Sequence, residues 1–287
     1  LRSGDTAAAQ RRRQLQRPPE FLITTPESLN ILLASGGGRA MLSGVQAVIL
    51  DEIHSLIPSL RGIHLMSALR RLEEMTGPLP VTALSATVPD ARQASRFAFG
   101  RGEDSAQQRP SRILTADAER RTDYRILPVL APRSGQSPWQ AAALALEPLL
   151  HQARSTLIFV NSRRTSERIS AELGSLLPQV AAHHGALSRE KRYEVENGLK
   201  EGRLKAVCAT SSLEMGIDVG FVDQVILVQP PWSLNSAVQR MGRAGHRVGA
   251  VSRVRALPLQ SGELPAFAAL GLALERSSWR PCASPRP

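Results

Sequence analysis

Lysine is nearly missing from this chain: of 36 basic residues only Lys191, Lys200 and Lys205 are lysines. None of the three follows a glycine-rich lead-in, and no G-x-x-x-x-G-K-[ST] stretch occurs. The loop that cradles nucleotide phosphates with backbone N–H groups and a lysine is therefore absent. Two cysteines, Cys208 and Cys282, cannot make a disulfide framework and point to a reducing cytoplasm. Aromatics are scarce at 4%, which argues against a platform of rings for stacking bases. No apolar run approaches the ~20 residues that span a bilayer. No apolar segment follows Arg11-Arg12-Arg13 either, so neither a signal peptide nor a membrane partner is read. The chain opens on Leu1 rather than Met, inside a polar loop, and reads as a fragment or a mis-called start.

What is present fits two ordinary domains. The length is 287 residues, with 42% hydrophobic and 21% charged residues. A net charge of +11 points to a polyanionic partner, although so strong a bias to arginine also fits a GC-rich genome. Short apolar runs alternate with segments of helical period, the pattern of a parallel α/β fold. Strands are expected over 21–24, 47–50, 81–84, 156–160, 180–182, 206–209 and 225–228. Helices are expected near 26–33, 63–74, 139–153, 162–177, 189–201 and 234–241, and 263–275 could form one more. The proline-bearing, weakly periodic stretch 118–137 reads as a linker between two α/β units.

The residues with chemistry sit where apolar runs end. Asp51-Glu52-Ile53-His54 follows the run 45–50. Adjacent carboxylates at a strand exit suit Mg²⁺ binding by Asp51 and water activation by Glu52 beside a γ-phosphate. Ser85-Ala86-Thr87 closes the run 81–84, where hydroxyls can hydrogen-bond to the acidic loop and sense phosphate. Thr24-Thr25-Pro26-Glu27-Ser28 lies at a strand-to-helix junction suited to a nucleic-acid phosphate, with plain helix capping as the alternative. Asn161-Ser162-Arg163-Arg164 ends the run 156–160, the place where open α/β sheets bind ligands. His183-His184-Gly185 invites a zinc reading. No Cys, Asp or Glu at helix spacing completes such a site, so the stretch reads as a backbone-positioning loop. Thr210-Ser211-Ser212, with Gly216 and Asp218 beyond, offers hydroxyls for phosphates and a carboxylate for a ribose or an arginine. Gln239-Arg240-Met241-Gly242-Arg243-Ala244-Gly245-His246-Arg247 sets arginines among glycines. An arginine there can reach a γ-phosphate, or merely cap a helix.

In this order the stretches resemble a superfamily 2 helicase of the DEAD/DEAH-box type. T-T-P-E-S matches motif Ib, D-E-I-H motif II, S-A-T motif III, F-V-N-S-R motif IV, A-T-S-S-L-E-M-G-I-D motif V and Q-R-M-G-R-A-G-H motif VI. The wordings TTPESL, ATSSLEMGID and QRMGRAGHR are most similar to the Lhr (large helicase-related) group, over residues 2–258. The resemblance implies two RecA-like parallel-sheet domains in tandem, 1–117 and 138–258, the first incomplete because its Walker A portion is lacking. Residues 259–287 form an unassigned tail.

The resemblance also assigns roles. Asp51 and Glu52 would serve Mg²⁺ and water activation, with Ser85, Thr87 and His54 coupling hydrolysis to motion. Thr25, Pro26, Glu27, Asn161, Ser162, Arg163, Gly185, Thr210 and Ser211 would lie along the bound strand. Gly216, Asp218, Gln239, Arg243 and Arg247 would serve the nucleotide, Arg243 as the principal finger. His246 stands where many members carry a last arginine. ATP and Mg²⁺ are the implied cofactors. Single-stranded DNA or a DNA–RNA hybrid, travelled 3′ to 5′, is the implied partner. The expectation is an ATP-dependent helicase present as a fragment inactive by itself. The alternatives are a nucleic-acid-binding module without ATPase activity and half of a split helicase completed by a separately encoded N-terminal half.

Overall fold

The computed structural model describes residues 1–4, 6–57, 59–85, 91–99, 111–114, 122–129, 132–214, 222–245 and 251–275. Its contacts divide the chain into two compact units, one built on Leu1–Ala116 and the other on Asp117–Arg280.

The first unit runs through helices α1 (Ala8–Gln16), α2 (Pro26–Ala34) and α3 (Gly36–Leu42), strand β1 (Val48–Leu50), helices α4 (Ile53–Leu56) and α5 (Leu60–Thr76), strand β2 (Val81–Ala83) and helix α6 (Ala91–Phe99). Thr25 caps α2 by accepting the Ser28 N–H, with Pro26 in the first turn. Ser59 caps α5 through Gly62 N–H, and Gly77 ends it at φ +85°. Leu65, Ala68, Leu69 and Leu72 recur at helical spacing on the buried face of α5 and join Leu29, Leu32 and Leu33 of α2 in one core. Strands β1 and β2 pair in parallel, Val48 opposite Val81 and Leu50 opposite Ala83.

One expectation fails in this unit. Residues 21–24 form no strand: one bridge joins Thr24 to Arg2, and Phe21 and Ile23 are exposed. A strand needs a ladder, and among the described residues only Arg2 N–H to Ile23 O supplies a rung. The glycine run 36–38 opens a helix for which the sequence carries no expectation. Ser35 caps α3 through Gly38 N–H, and a Cβ at Gly38 would lie 2.2 Å from Leu32 O.

The second unit holds strand β3 (Thr122–Ile126), helix α7 (Pro138–His151), strand β4 (Thr156–Phe159), helix α8 (Arg163–Leu176), strand β5 (Val180–His183), helix α9 (Arg189–Lys200), strands β6 (Ala206–Ala209) and β7 (Gln224–Val228), helix α10 (Leu234–Met241), strand β8 (Ser252–Leu257) and helix α11 (Leu264–Glu275). The strands form one parallel sheet in the order β3-β8-β7-β4-β6-β5. Apolar side chains alternate between its faces. Leu157, Phe159, Val207, Val225, Leu227 and Val254 pack with α9, α10 and α11, while Ile158, Val160, Cys208, Ile226 and Val228 pack with α7 and α8. Burial on both faces explains why β4, β6 and β7 are continuous apolar runs. Cys208 lies wholly buried, which pushes its thiol up to about 12.

Strand β3 falls inside the stretch 118–137 that the sequence reads as a linker, and α11 falls inside the unassigned tail. Both belong to the second unit's packing: Phe267 of α11 is fully buried, and its carbonyl accepts the Tyr124 hydroxyl at 2.9 Å. The sequence hides β3 and β8 because charges interrupt them. Asp123 accepts from Arg125 Nε at 2.9 Å and from the Arg255 guanidinium at 2.8 Å, so the charges satisfy one another.

Candidate functional site

In the first unit the acidic pair follows β1. Leu84 N–H bonds to Leu50 O and Ile53 N–H to Leu84 O, which draws the exits of β1 and β2 together. Between those bonds Glu52 takes the left-handed conformation, φ +53° and ψ +40°, unusual for a residue with a side chain. Asp51 is exposed, and its Oδ1 accepts the Glu52 N–H at 2.9 Å. Glu52 Oε2 is buried without a hydrogen bond, 3.4 Å from Nδ1 of the buried His54. That same nitrogen meets Ser85 Oγ at 2.8 Å. The residues expected to couple the two loops therefore touch, except Thr87, which lies outside the described residues.

The remaining candidates of this unit have structural commitments. Thr25 Oγ1 accepts from Ser28 N–H at 3.3 Å. Arg61 grips Glu27 with both arms of its fork, Nε at 2.6 Å and Nη2 at 3.3 Å, which pulls the carboxyl down to about 2. Both side chains are more than half exposed, so the pair adds little stability.

In the second unit the exits of β4, β6 and β5 adjoin, since those strands are neighbours. Ser162 caps α8 through Thr165 N–H at 3.1 Å, and its hydroxyl meets Thr165 Oγ1 at 2.8 Å. Asn161 is engaged at both ends of its amide: Nδ2 donates to Pro230 O at 2.8 Å and Oδ1 accepts from Arg240 at 3.0 Å. Arg240 is almost fully buried. Its Nε donates to Glu214 Oε1 at 2.6 Å, and its guanidinium lies 5.5 Å from the Phe159 ring centre. Ser236 donates to the same Glu214 oxygen at 3.0 Å. Arg243 reaches the Glu214 main-chain oxygen twice, at 3.2 Å and 2.7 Å. Glu214 and Arg240 together thus join the segments matched to motifs IV, V and VI.

Gln239 sits half-buried one residue before that ion pair. Arg163, Gly185 and Ser211 are exposed, while Thr210 is half-buried. Gly216, Asp218, His246 and Arg247 lie outside the described residues. The sequence gives no individual role to Arg240, Glu214 or Glu196, and sets His183 only in a backbone-positioning loop. For Arg240 a signal existed: it falls in helical phase with the buried Ala237 and Met241, and a cation on that face must be paired.

The paired histidines are tied to side chains. His183 meets Ser212 and Glu196, and His184 Nε2 meets Glu167 Oε1 at 3.1 Å. Among the described residues no group of three or more His, Cys, Asp or Glu could hold a metal ion. A polar depression of about 310 Å³, lined by Asp123, Arg125, Gln224, Arg253 and Arg255, opens toward the amino ends of the strands, at the opposite end from the motif loops. No helix among the described residues is long and apolar enough to cross a membrane.

One parallel α/β unit bearing D-E-x-H bonded to its neighbouring strand exit and, in the same chain, a six-stranded unit with Arg240 and Arg243 engaged at its loops fit the helicase class. The DEAD/DEAH box helicase family matches residues 1–95, and the helicase conserved C-terminal domain matches residues 141–248. The chain is 38% identical over 271 residues to ATP-dependent helicase Lhr-Core protein 2 of Thermococcus barophilus, covering 92% of this chain and 31% of that protein. It is 37% identical to the Lhr helicase/uracil glycosylase of Escherichia coli, covering 88% of this chain and 19% of that one. Among solved structures, the helicase Lhr of Mycobacterium smegmatis bound to ssDNA and AMP-PNP superposes with a TM-score of 0.86 at 38% identity, over 96% of this chain and 36% of that chain. The chain belongs to the Lhr group of DEAD/DEAH-box helicases. It spans about a third of the length of the archaeal relatives it matches and about a fifth of the bacterial ones.

Proposed function

We propose that this chain forms part of the motor of an ATP-dependent Lhr-type helicase that acts in the cytoplasm on single-stranded DNA or a DNA–RNA hybrid, moving 3′ to 5′. The observation that carries the reading is the Glu52 carboxylate, held in a left-handed turn with one buried oxygen lacking a hydrogen bond, beside the His54–Ser85 contact. A carboxylate kept so is available to a water. Glu52 orients that water and takes its proton as the water oxygen attacks the γ-phosphorus and the bond to the ADP oxygen breaks. Asp51, exposed and with its second oxygen uncommitted, fits a hard cation that draws its other ligands from water and phosphate. When bound, Mg²⁺ would supply neutralisation of phosphate charge; Asp51 and Glu52 would hold it. His54 and Ser85 pass the state of the Glu52 loop to the next strand exit. Gln239, Arg243 and Arg247, with Gly216 and Asp218, are assigned to the nucleotide. Thr25, Pro26, Glu27, Asn161, Ser162, Arg163, Gly185, Thr210 and Ser211 are assigned to the strand or to the loops that present it.

ATPase turnover with and without single-stranded DNA tests the reading. Because the sequence carries no G-x-x-x-x-G-K-[ST] loop, the 287-residue chain alone is expected to hydrolyse ATP negligibly yet bind DNA in a salt-sensitive way. Robust turnover unaffected by Glu52→Gln would sink the assignment of Glu52. Ile49 favours a second reading, half of a split helicase completed by a separately encoded N-terminal half. This central residue of β1 is 66% exposed, whereas parallel strands ordinarily bury both faces. Turnover that appears only on adding a polypeptide bearing the missing loop, and disappears with Glu52→Gln, would establish it.

A further inference from the structure

His183 ends β5 with no exposed surface and holds polar partners on both sides of its ring. Nε2 lies 2.8 Å from Glu196 Oε1 on α9, and Nδ1 lies 2.8 Å from Ser212 Oγ in the loop after β6. Its backbone oxygen accepts from Thr210 N–H at 3.2 Å and lies 3.2 Å from the Ser212 hydroxyl oxygen. One residue therefore holds both ends of Thr210–Ser211–Ser212, Thr210 through its carbonyl and Ser212 through its ring, and anchors them to a helix. An apolar side chain could fill the same volume without the cost of burying an imidazole against a carboxylate. The arrangement therefore selects geometry more than stability. We infer that His183 is a positioning residue that fixes the Thr210–Ser211–Ser212 turn by tying Ser212 to Glu196 of α9. The consequence for strand binding rests on the assignment of Thr210 and Ser211 proposed above.

The proton inventory gives the link a direction. An ionised Glu196 can only accept, so Nε2 carries the hydrogen and, in a neutral ring, Nδ1 accepts from the Ser212 hydroxyl. Burial lowers the His183 pKa; Arg192 of α9 and neighbouring His184 push the same way, while Glu196 opposes them. A second proton would sit on Nδ1 and turn the Ser212 hydroxyl to the His183 carbonyl, already 3.2 Å away. The turn thus has one hydrogen-bond pattern for each charge state of the ring.

The test compares Ser212→Ala, His183→Leu and His183→Asn in the full chain. Three quantities are read: amide exchange at Thr210–Ser212, affinity for a fluorescent oligothymidine, and melting temperature. An asparagine amide sits where Nδ1 was, so His183→Asn can restore the bond to Ser212 alone. Expected are roughly tenfold faster exchange confined to the turn in Ser212→Ala and His183→Leu, a matching loss of affinity, and recovery of much of both in His183→Asn. Unchanged exchange in Ser212→Ala, or an asparagine variant no better than leucine, overturns the inference even if the melting temperatures fall. If the wild-type chain does not bind the oligonucleotide while exchange still follows this pattern, the positioning stands and the strand-binding assignment fails.

Discussion

At the scale of single residues, Arg240 and Arg243 stand three positions apart and do different things. Arg240 is 2% exposed and neutralises Glu214, whose side chain is itself only 11% exposed. Removing the arginine strands a buried carboxylate and leaves Asn161 Oδ1 without its donor. Arg240→Ala is expected to destabilise the second unit by ~3–5 kcal/mol, measured by urea unfolding. Arg243 is less buried, and water can replace it at the Glu214 main-chain oxygen. Arg243→Ala is expected to cost under ~1.5 kcal/mol in the same measurement. Equal losses from the two would mean that the ion pair is not what secures motif VI. The same contrast shows what the sequence could display. Asp51, Glu52 and Arg243 stand out because they sit at the ends of legible elements. The partners of Arg240 lie 26 and 79 residues away, and nothing local announces them.

At the scale of elements, strands with two buried faces were readable and those at the charged edge were not. Strands β4, β6 and β7 are continuous runs of apolar residues because both faces are covered. Strands β3 and β8 spend Asp123, Arg125, Arg253 and Arg255 on one face, and the bond from Arg255 to Asp123 exists only once the two strands pair at Asp123↔Arg253 and Arg125↔Arg255. Helix α5 shows how a glycine can be fixed by a neighbour rather than by its own dihedrals. A Cβ on Gly62 would lie 2.1 Å from Leu56 O and 2.9 Å from the Phe97 ring, whereas one on Gly174 of α8 would meet nothing within 4 Å. Gly62→Ala is expected to cost ~1–3 kcal/mol because backbone must move, and Gly174→Ala to gain ~0.5–1 kcal/mol from helix propensity. Thermal melts of the two variants check the sign at each site. A stabilising Gly62→Ala would show that the end of α4 yields freely.

At the scale of the whole molecule the two units are unequally built. The second has six paired strands with an apolar layer on each face. Among the described residues the first has two strands and relies on one core of helices around them. Unfolding in urea is therefore expected to begin in the first unit. The sequence supplies the means to see it: all three tryptophans and both tyrosines lie beyond Ala116. Circular dichroism reports both units and tryptophan emission reports the second, so the dichroism curve should start to fall at lower urea. Coincident curves would mean that the units unfold as one.

The sealed position of Cys208 turns the second unit into its own stopwatch. A thiol held near 12 on a fully buried strand between β4 and β5 cannot be alkylated while that sheet is closed. With Cys282 replaced by serine, every alkylated molecule has opened its centre at least once. The labelling rate then converts directly into how often the unit breathes, in untreated protein and without denaturant.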